Sequence, residues 1–207
     1  MFPPPINILV LASGNGTNLQ ALIDAQAAGA LNGGRITQVI SDRRGVYALE
    51  RAKAAGIPTL VIEMDKNASR EMRRNSLSEL ILRLCREKEI GLIVQAGFLS
   101  ILTGDVLETY SGRIINLHPA LLPKFGGEGM YGEKVHRAVI AAGETESGCT
   151  VHLVDSGIDT GPILLQRKVP VLPGDTPGSL AERIHGEEHI IIVEAVIMML
   201  KKISPKE

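Results

Sequence analysis

Residues 6–18 read INILVLASGNGTN, an aliphatic run that passes directly into a turn containing two glycines. The run at 6–12 is almost continuously apolar, which is typical of a strand buried on both faces of a sheet. Gly14 and Gly16 end the strand, and residues 17–28 then carry apolar side chains at helical spacing. The segment therefore predicts a strand, a glycine turn and a helix, the first unit of a sheet of parallel strands joined by helices.

The same alternation of strand and helix continues through the first half of the chain. Four further aliphatic strands are expected, at residues 36–41, 58–62, 90–96 and 113–117. Helices are expected between them at residues 47–55, 69–88 and, as a short turn, 103–108. The inward stripe of the long helix is predicted to consist of Met72, Leu77, Leu80, Ile81 and Leu84. Five strands joined by crossover helices predict an α/β fold with a doubly wound, mostly parallel, Rossmann-like sheet.

After Pro119 the pattern changes. The expected elements, in order, are a glycine-rich loop, a helix, two strands and a closing helix, at residues 125–132, 133–142, 149–154, 162–169 and 177–201. The two strands are separated by too few residues for a crossover helix, so we expect an antiparallel pair. Thr176 followed by Pro177 is typical of a helix start. The sequence thus predicts a C-terminal antiparallel strand extension and a closing helix.

Composition argues against several classes of protein. The 207 residues carry 22 basic and 23 acidic side chains and only 3% aromatic residues, so no nucleic-acid interface is expected. No apolar stretch reaches the roughly 20 residues of a membrane span, and residues 1–5 lack the basic lead of a signal peptide. A single soluble domain, 1–207, in the cytoplasm is therefore predicted. Cys85 and Cys149 are too few for a disulfide framework and are expected to be buried, reduced thiols.

The turn at residues 13–18 follows the first strand, where an open parallel sheet binds its ligands. Its glycines let the backbone approach an anion, and the amides of Gly16, Thr17 and Asn18 at the helix start can point at a phosphate. Leu19 stands where a dinucleotide-binding motif has its third glycine, and the turn lacks the lysine of a Walker loop. The segment predicts a monophosphate site, and a capped turn without a ligand is the alternative.

The second candidate segment is Asn116-Leu117-His118-Pro119, at the end of the fifth predicted strand. Residues two apart on a strand face the same side, so the Asn116 amide and the His118 ring should converge. Pro119 disfavours helical geometry at His118 and preserves this alignment. An amide donor beside a titratable ring suits the stabilisation of a developing oxyanion. A histidine that makes only structural hydrogen bonds is the alternative.

The third candidate segment is the loop at residues 155–162, which carries Asp155 and Asp159 between the two antiparallel strands. If Asp159 reaches His118, its charge should favour the imidazolium and raise the pKa of the ring. Asn116, His118 and Asp159 would then form one site. Aspartate-rich turns are common on protein surfaces, so a solvated turn is the alternative.

Three other histidines are weaker candidates. His185 and His189 have the spacing of a zinc-binding helix, but Gly186 replaces the required acid and no third ligand is evident in the sequence. No metal site is therefore predicted. His152 lies between apolar residues on an alternating strand, where a structural histidine is the favoured interpretation.

Four motifs, in order along the chain, resemble those of the phosphoribosylglycinamide formyltransferases, also called glycinamide ribonucleotide transformylases. They are SGNGTNLQ at 13–20, AGF at 96–98, NLHPALLPK at 116–124 and DTGP at 159–162. The resemblance extends from residue 6 to about residue 193, and the first motif discriminates this family from other 10-formyltetrahydrofolate enzymes. It implies transfer of a formyl group from the co-substrate 10-formyltetrahydrofolate to the amine of glycinamide ribonucleotide, in de novo purine biosynthesis.

The resemblance also assigns roles by position. It implies a catalytic trio of Asn116, His118 and Asp159. It implies nucleotide binding by Gly16, Thr17 and Asn18 at the phosphate and Glu188 at the ribose. It implies folate contacts by Arg70, Leu99, Ser100, Ile101, Leu102, Asn116 and Asp155. Many members carry arginine where Ser100 stands, so only backbone contacts are expected there. The resemblance further implies a formyltransferase fold with a phosphate-binding half at about 1–100 and a folate-binding and catalytic half at about 101–207. A cis peptide bond before Pro123 is consistent with the resemblance.

The residues and the resemblance lead to one hypothesis of mechanism, without a metal. Asn116 and a protonated His118 donate to the oxyanion, while Asp159 keeps the ring charged and helps move a proton from the attacking amine to the folate nitrogen. The alternatives are a 10-formyltetrahydrofolate hydrolase, a tRNA formyltransferase, and a non-catalytic nucleotide-binding module. The first two are expected to need further domains, for which the chain has no room. The expected partners are the two small-molecule substrates, with no nucleic acid or membrane, in a monomer or homodimer.

Overall fold

Seven strands and six helices make up the residues that the computed structural model describes, 5–31 and 33–204. The strands are β1 (Ile6–Leu11), β2 (Gly34–Ser41), β3 (Thr59–Val61), β4 (Ile90–Gln95), β5 (Ile114–His118), β6 (Glu146–Leu153) and β7 (Ile163–Pro170). The helices are α1 (Thr17–Ala27), α2 (Tyr47–Ala54), α3 (Arg70–Glu87), α4 (Asp105–Thr109), α5 (Glu133–Ala141) and α6 (Pro177–Ile203). Residues 1–4, on which the argument against a signal peptide largely rests, lie outside the described residues.

The strands form one sheet in the order β3-β2-β1-β4-β5-β6-β7. Strands β1 to β5 are parallel, whereas β6 is antiparallel to both β5 and β7. The chain builds outward from β1 through β2 and β3, and then returns to place β4 on the other side of β1. The predicted doubly wound sheet with an antiparallel extension is confirmed. Its winding reverses between β1 and β4, where sheets of this kind bind ligands.

Strand β1 is buried on both faces, as its aliphatic sequence predicts. Ile8 and Val10 belong to the core layer formed with α1, α2, α5 and α6. Leu9 and Leu11 belong to the opposite layer, formed with α3 and α4. All four side chains are at most 1% exposed. Burial of each contributes about 1.5–3 kcal/mol, so this strand anchors both layers and holds the turn that follows it in place.

The buried stripe of α3 differs from the predicted one. The stripe consists of Leu77, Ser78, Ile81, Leu82 and Cys85. Met72 is 62% exposed, so its predicted place in the core is wrong, and Leu80 and Leu84 are only half-buried at the margin. Met72 precedes Leu77 by five residues, which places the two side chains roughly 140° apart around the helix. The first turn of α3 therefore faces solvent and contributes polar side chains.

Helix α6 packs on the first core layer and carries one buried acid. Thr176 and Ser179 form a reciprocal capping box, with hydrogen bonds of 3.0 and 3.1 Å, which confirms the predicted helix start. Glu188 is 5% exposed among apolar neighbours on the same helix. A buried carboxylate needs polar partners, so a polar cavity is expected next to Glu188. Among the described helices, including the 27-residue α6, none is both long and apolar enough to cross a membrane.

The two cysteines are free and buried, as predicted. Cys85 lies in the layer of α3, and Cys149 lies in the layer on the other face of the sheet. Burial raises the pKa of each thiol to about 12. Both are therefore protonated at neutral pH and suit packing rather than nucleophilic chemistry.

Candidate active site

A cavity of about 440 Å³ opens beyond the carboxyl ends of β1, β4 and β5. The ends of β1 and β4 are tied together because the Ser13 amide donates to the Gly97 carbonyl at 3.0 Å and the Leu99 amide donates to Ser13 Oγ at 2.8 Å. All three candidate segments reach this cavity. Its lining comprises residues 13–18, 95–102, 116–119, 127–132 and 157–159, with His136, His152, Val154, His185 and Glu188.

The start of α1 forms one end of the cavity. Gly16 is the N-cap residue, with a φ of 75° in the left-handed region. A Cβ at this position would lie 2.7 Å from both Cα and Cβ of Ala48 on α2, so the close approach of the two helices requires glycine. The first amides of α1 have no acceptor within the helix. The turn and the helix start together have the geometry of an anion-binding site.

Glu188 lies next to this helix start. Asn18 Nδ2 donates to Glu188 Oε2 at 3.1 Å, which joins the turn after β1 to the middle of α6. Asn18 Oδ1 is buried and has no hydrogen-bond partner among the described residues. The remaining lone pairs of the Glu188 carboxylate can accept from hydroxyl groups. This end of the cavity therefore suits a ligand that has an anion and neighbouring hydroxyls.

Asn116, His118 and Asp159 meet in the middle of the cavity. Asn116 Nδ2 is 3.4 Å from Asp159 Oδ1, and His118 Nδ1 is 3.5 Å from Asp159 Oδ2. The Gly127 amide also donates to Asp159 Oδ2, at 3.0 Å. Asp159 has a φ of 57°, a left-handed backbone conformation that favours glycine, so its loop is held in an unusual geometry. The carboxylate therefore bridges the amide and the ring.

The pKa of His118 is lower than expected. The ring is only 3% exposed, and burial lowers its pKa below 6.5 although the charge of Asp159 raises it. Asp159 raises the pKa of the ring as predicted, but desolvation outweighs the single carboxylate, so the protonated ring expected in the free protein is not favoured. Nε2 lies 2.8 Å from the Phe125 carbonyl, which can only accept, so this nitrogen carries a hydrogen. The neutral ring then presents the lone pair of Nδ1 to Asp159.

Burial raises the pKa of Asp159, but three polar neighbours outweigh it. They are the His152 and His118 rings, which act on the carboxylate when they are protonated, and the Gly127 amide, and they hold the pKa below the ordinary value of 3.8. The carboxylate is therefore ionised at neutral pH. It is a base beside a neutral imidazole, and a proton added between Nδ1 of His118 and Asp159 would be shared by the pair.

His152 is part of this cluster, which sequence reasoning missed. Its Nδ1 donates to the Leu153 carbonyl at 2.8 Å, so Nε2 is left as the acceptor for Asn116 Nδ2 at 3.1 Å. Nε2 also lies 3.5 Å from Asp159 Oδ1. The structural interpretation is correct in that the ring is buried and hydrogen-bonded, but it also orients the Asn116 amide. The antiparallel pairing of β5 with β6 places His152 opposite Asn116, so this contact depends on strand register and has no local sequence signal.

The family of the chain follows from a comparison with known proteins. A family model described as formyl transferase matches residues 6–196. The chain belongs to this formyl transferase family. The matched region includes every segment that lines the cavity, from the turn after β1 to Glu188 on α6.

The named relatives include a purine biosynthetic protein and a phosphoribosylglycinamide formyltransferase. The chain is 42% identical to the trifunctional purine biosynthetic protein adenosine-3 of Drosophila pseudoobscura pseudoobscura, over 99% of the chain and 15% of that protein. It is 37% identical to the chloroplastic phosphoribosylglycinamide formyltransferase of Vigna unguiculata, over 91% of the chain and 59% of that protein. The crystal structure of glycinamide ribonucleotide transformylase 1 from Symbiobacterium toebii is similar, with a TM-score of 0.86 and 40% identity over 98% of this chain and 91% of that one. The chain therefore spans only part of the fly and plant relatives.

In this formyl transferase, the folate residues assigned by resemblance do not all reach the cavity. Leu99, Ser100, Ile101 and Leu102 line it. The Ser100 hydroxyl donates to Asp42 Oδ2 at 2.7 Å, so its side chain is engaged with the protein. Arg70 instead lines a neighbouring cavity. Asp155 Oδ1 accepts from the Gly157 amide at 3.0 Å and from Thr160 Oγ1 at 2.7 Å, so this carboxylate stabilises its own loop.

The remaining histidines do not form a metal centre. His185 Nε2 is 4.0 Å from Glu188 Oε2, and the ring is 49% exposed. Across the described ranges 5–31 and 33–204, no group of three His, Cys, Asp or Glu residues could hold a metal ion. His136 is buried in the cavity wall, and burial lowers its pKa to about 4.

Leu122 and Pro123 are joined by a cis peptide bond, which is the isomer consistent with the resemblance.

Proposed function

We propose that the chain transfers the formyl group of 10-formyltetrahydrofolate to the amine of glycinamide ribonucleotide, yielding formylglycinamide ribonucleotide and tetrahydrofolate. One observation carries the proposal: a single cavity joins an anion-binding helix start, a central amide, imidazole and carboxylate, and the apolar segment of Leu99 to Leu102. The phosphate, the reacting amine and the folate each have a part of the cavity that suits their chemistry. The names of the relatives, which refer to this transfer and to purine biosynthesis, support the same assignment.

The first step is attack of the substrate amine on the formyl carbon, which places negative charge on the formyl oxygen. Asn116 Nδ2 is the donor best placed to stabilise it. One hydrogen of this amide is held by His152 Nε2 at 3.1 Å, and the other makes only a long contact of 3.4 Å with Asp159. The second hydrogen is therefore available to the oxyanion at little cost. A preorganised donor of this kind contributes about 3 to 4 kcal/mol to transition-state stabilisation.

The second step moves one proton from the attacking nitrogen to the departing folate nitrogen. The ionised Asp159 accepts the proton, directly or through one bridging water, and His118 Nδ1 at 3.5 Å shares it. Growth of the oxyanion beside the buried ring raises the affinity of His118 for that proton. The Phe125 carbonyl fixes the ring through Nε2, so the proposed role of His118 changes from direct oxyanion donor to charged partner and proton holder.

The proposal is tested by mixing the purified protein with 10-formyltetrahydrofolate and following tetrahydrofolate formation with and without glycinamide ribonucleotide. We expect release that depends on the nucleotide, with formylglycinamide ribonucleotide as the second product. Release without the nucleotide would support a hydrolase. Formylation of methionyl-tRNA in a parallel reaction would support the tRNA enzyme. Nucleotide binding without turnover would support a non-catalytic module.

The remaining expectations stay predictions. They are a cytoplasmic location, a monomer or homodimer without nucleic acid or membrane, and a division into halves at about residue 100. The contact of Asn18 with Glu188 bears on the last of these, because it joins side chains from both halves at the proposed nucleotide end. Light scattering at the assay concentration measures the oligomeric state.

Replacement of Gly16 by alanine should weaken nucleotide binding about tenfold or more and largely spare folate binding. The added Cβ lies 2.7 Å from backbone and side-chain atoms of Ala48, and the φ of 75° costs an L-residue roughly 1–2 kcal/mol. The first turn of α1 must therefore shift away from the phosphate. Calorimetric titration with each substrate measures the two affinities.

Gly178→Ala is the matched control for this substitution. It adds the same methyl group at the start of α6, where Thr176 Oγ1 would lie at an ordinary contact distance of 3.7 Å. We expect unchanged nucleotide and folate affinities in this variant. A Gly16→Ala protein that remains folded and binds the nucleotide as tightly as the unsubstituted protein would contradict the phosphate site.

A further inference from the structure

Glu128 makes two ion pairs at the rim of the main cavity. Its Oε1 lies 3.1 Å from Arg70 Nη1 and 3.1 Å from Arg74 Nη2. The two guanidinium groups come from successive turns of α3, and Glu128 comes from the glycine-rich loop at residues 125–132. The loop, whose residues 127–132 line the main cavity, is thereby tied to α3. One carboxylate bound by two guanidinium groups is also the arrangement in which a protein binds the carboxylate of a ligand.

The two arginines lie on the path out of the main cavity. Leu99, Ser100 and Ile101 line both the main cavity and a neighbouring one of about 610 Å³. The second cavity is also lined by Arg70 and Arg74. Its other charged residues are Arg43, Arg44, Lys66, Arg73, Asp42 and Glu63, which leave an excess of positive charge. A ligand that extends from the main cavity across this shared rim therefore meets a cationic surface.

The backbone on either side of Glu128 would allow this side chain to move away from Arg70 and Arg74. Gly127 and Gly129, on either side of Glu128, have φ values of 97° and 86°, and a Cβ at either would meet nothing within 4 Å. The side of the loop that faces away from the described residues is thus open at these positions, while the Gly127 amide remains bonded to Asp159. Glu128 itself is 59% exposed, and exposed ion pairs are weak. The contact with the arginines can therefore be exchanged for a contact with a ligand.

We infer that Glu128 is an internal competitor for the glutamate carboxylate of the folate co-substrate at Arg70 and Arg74. The inference rests on the proposed function, because the competing ligand is the tail of the folate bound in the main cavity. In the free protein Glu128 pairs with both arginines and offsets one of their two positive charges. When the folate binds, its carboxylate replaces Glu128 and the loop at 125–132 is released from α3. Glu128 thereby weakens the binding of folates that carry the tail.

Glu128→Gln tests the inference through the tail of the ligand. The dissociation constants of a stable 10-formylfolate analogue and of the same analogue without its glutamate are measured for the unsubstituted and variant proteins. We expect the variant to bind the complete analogue about two- to fivefold tighter, since removal of an exposed competing pair is a small effect. The truncated analogue should bind both proteins equally. Arg74→Ala should reduce the preference for the complete analogue.

Glu146→Gln is the matched control, because it breaks an exposed ion pair with Lys168 in which Glu146 is 57% exposed. It should change neither affinity. If Glu128 instead builds the folate site, the variant would bind both analogues more weakly, and the inference would be wrong. Equal affinities of variant and unsubstituted protein for the complete analogue would overturn the inference and leave the proposed function intact. A lack of binding of either analogue to the unsubstituted protein would overturn both.

Discussion

Replacement of Asn116 by alanine is expected to lower the turnover number by about two to three powers of ten, because it removes the donor proposed for the oxyanion. The loss corresponds to roughly 3 to 4 kcal/mol of transition-state stabilisation. The dissociation constants of both substrates should change little, because Asn116 Nδ2 is bonded to His152 and Asp159 in the free protein and serves the reaction when charge develops. A turnover effect without a binding effect is the property of an interaction made in the transition state.

Single-turnover kinetics with saturating substrates separates this effect from binding and from product release. Asn7→Ala is the control, because Asn7 lies at the start of β1, at the opposite end of the strand from the cavity, and donates to the Lys88 carbonyl. It should turn over at the rate of the unsubstituted protein. If Asn116→Ala kept its turnover number and lost substrate affinity instead, Asn116 would be a binding group and the oxyanion would need another donor.

The predictable parts of this site follow from local geometry. The period of two along a strand brings Asn116 and His118 to one side of β5, and both line the cavity. Likewise, the aliphatic run of β1 predicts a strand that is buried on both faces, and Gly16 predicts a tight turn after it. These properties depend on neighbours in the sequence, so one sequence is sufficient to predict them.

The unpredicted parts depend on contacts between distant segments. The pKa of His118 is a balance between desolvation and the charge of Asp159, and its sign depends on how deeply the ring is buried. His152 enters the cluster through strand pairing, which the sequence of β6 does not specify. The resemblance places Arg70 at the folate, but its ion pair with Glu128 depends on the path of a loop that lies 58 residues further along the chain.

Asp159→Asn is expected to reduce turnover by a factor of about a hundred or more, since an amide cannot accept the proton released by the attacking amine. The same substitution should change the pH dependence. The charge of Asp159 raises the pKa of His118, against a larger lowering by burial, so removal of the charge must lower that pKa further below 6.5. The limb of the rate profile that His118 controls lies on the acidic side of neutrality, and it should move to lower pH.

The measurement is the turnover number as a function of pH, together with an NMR titration of the His118 ring. Asp24→Asn controls for the loss of one negative charge, because Asp24 is an exposed residue of α1 that accepts from Gln20. It should leave the rate and the titration of His118 unchanged. An Asp159→Asn protein with reduced turnover and an unshifted His118 titration would separate the two proposed roles. Asp159 would then act as a base, while the charge state of the ring would be set by burial alone.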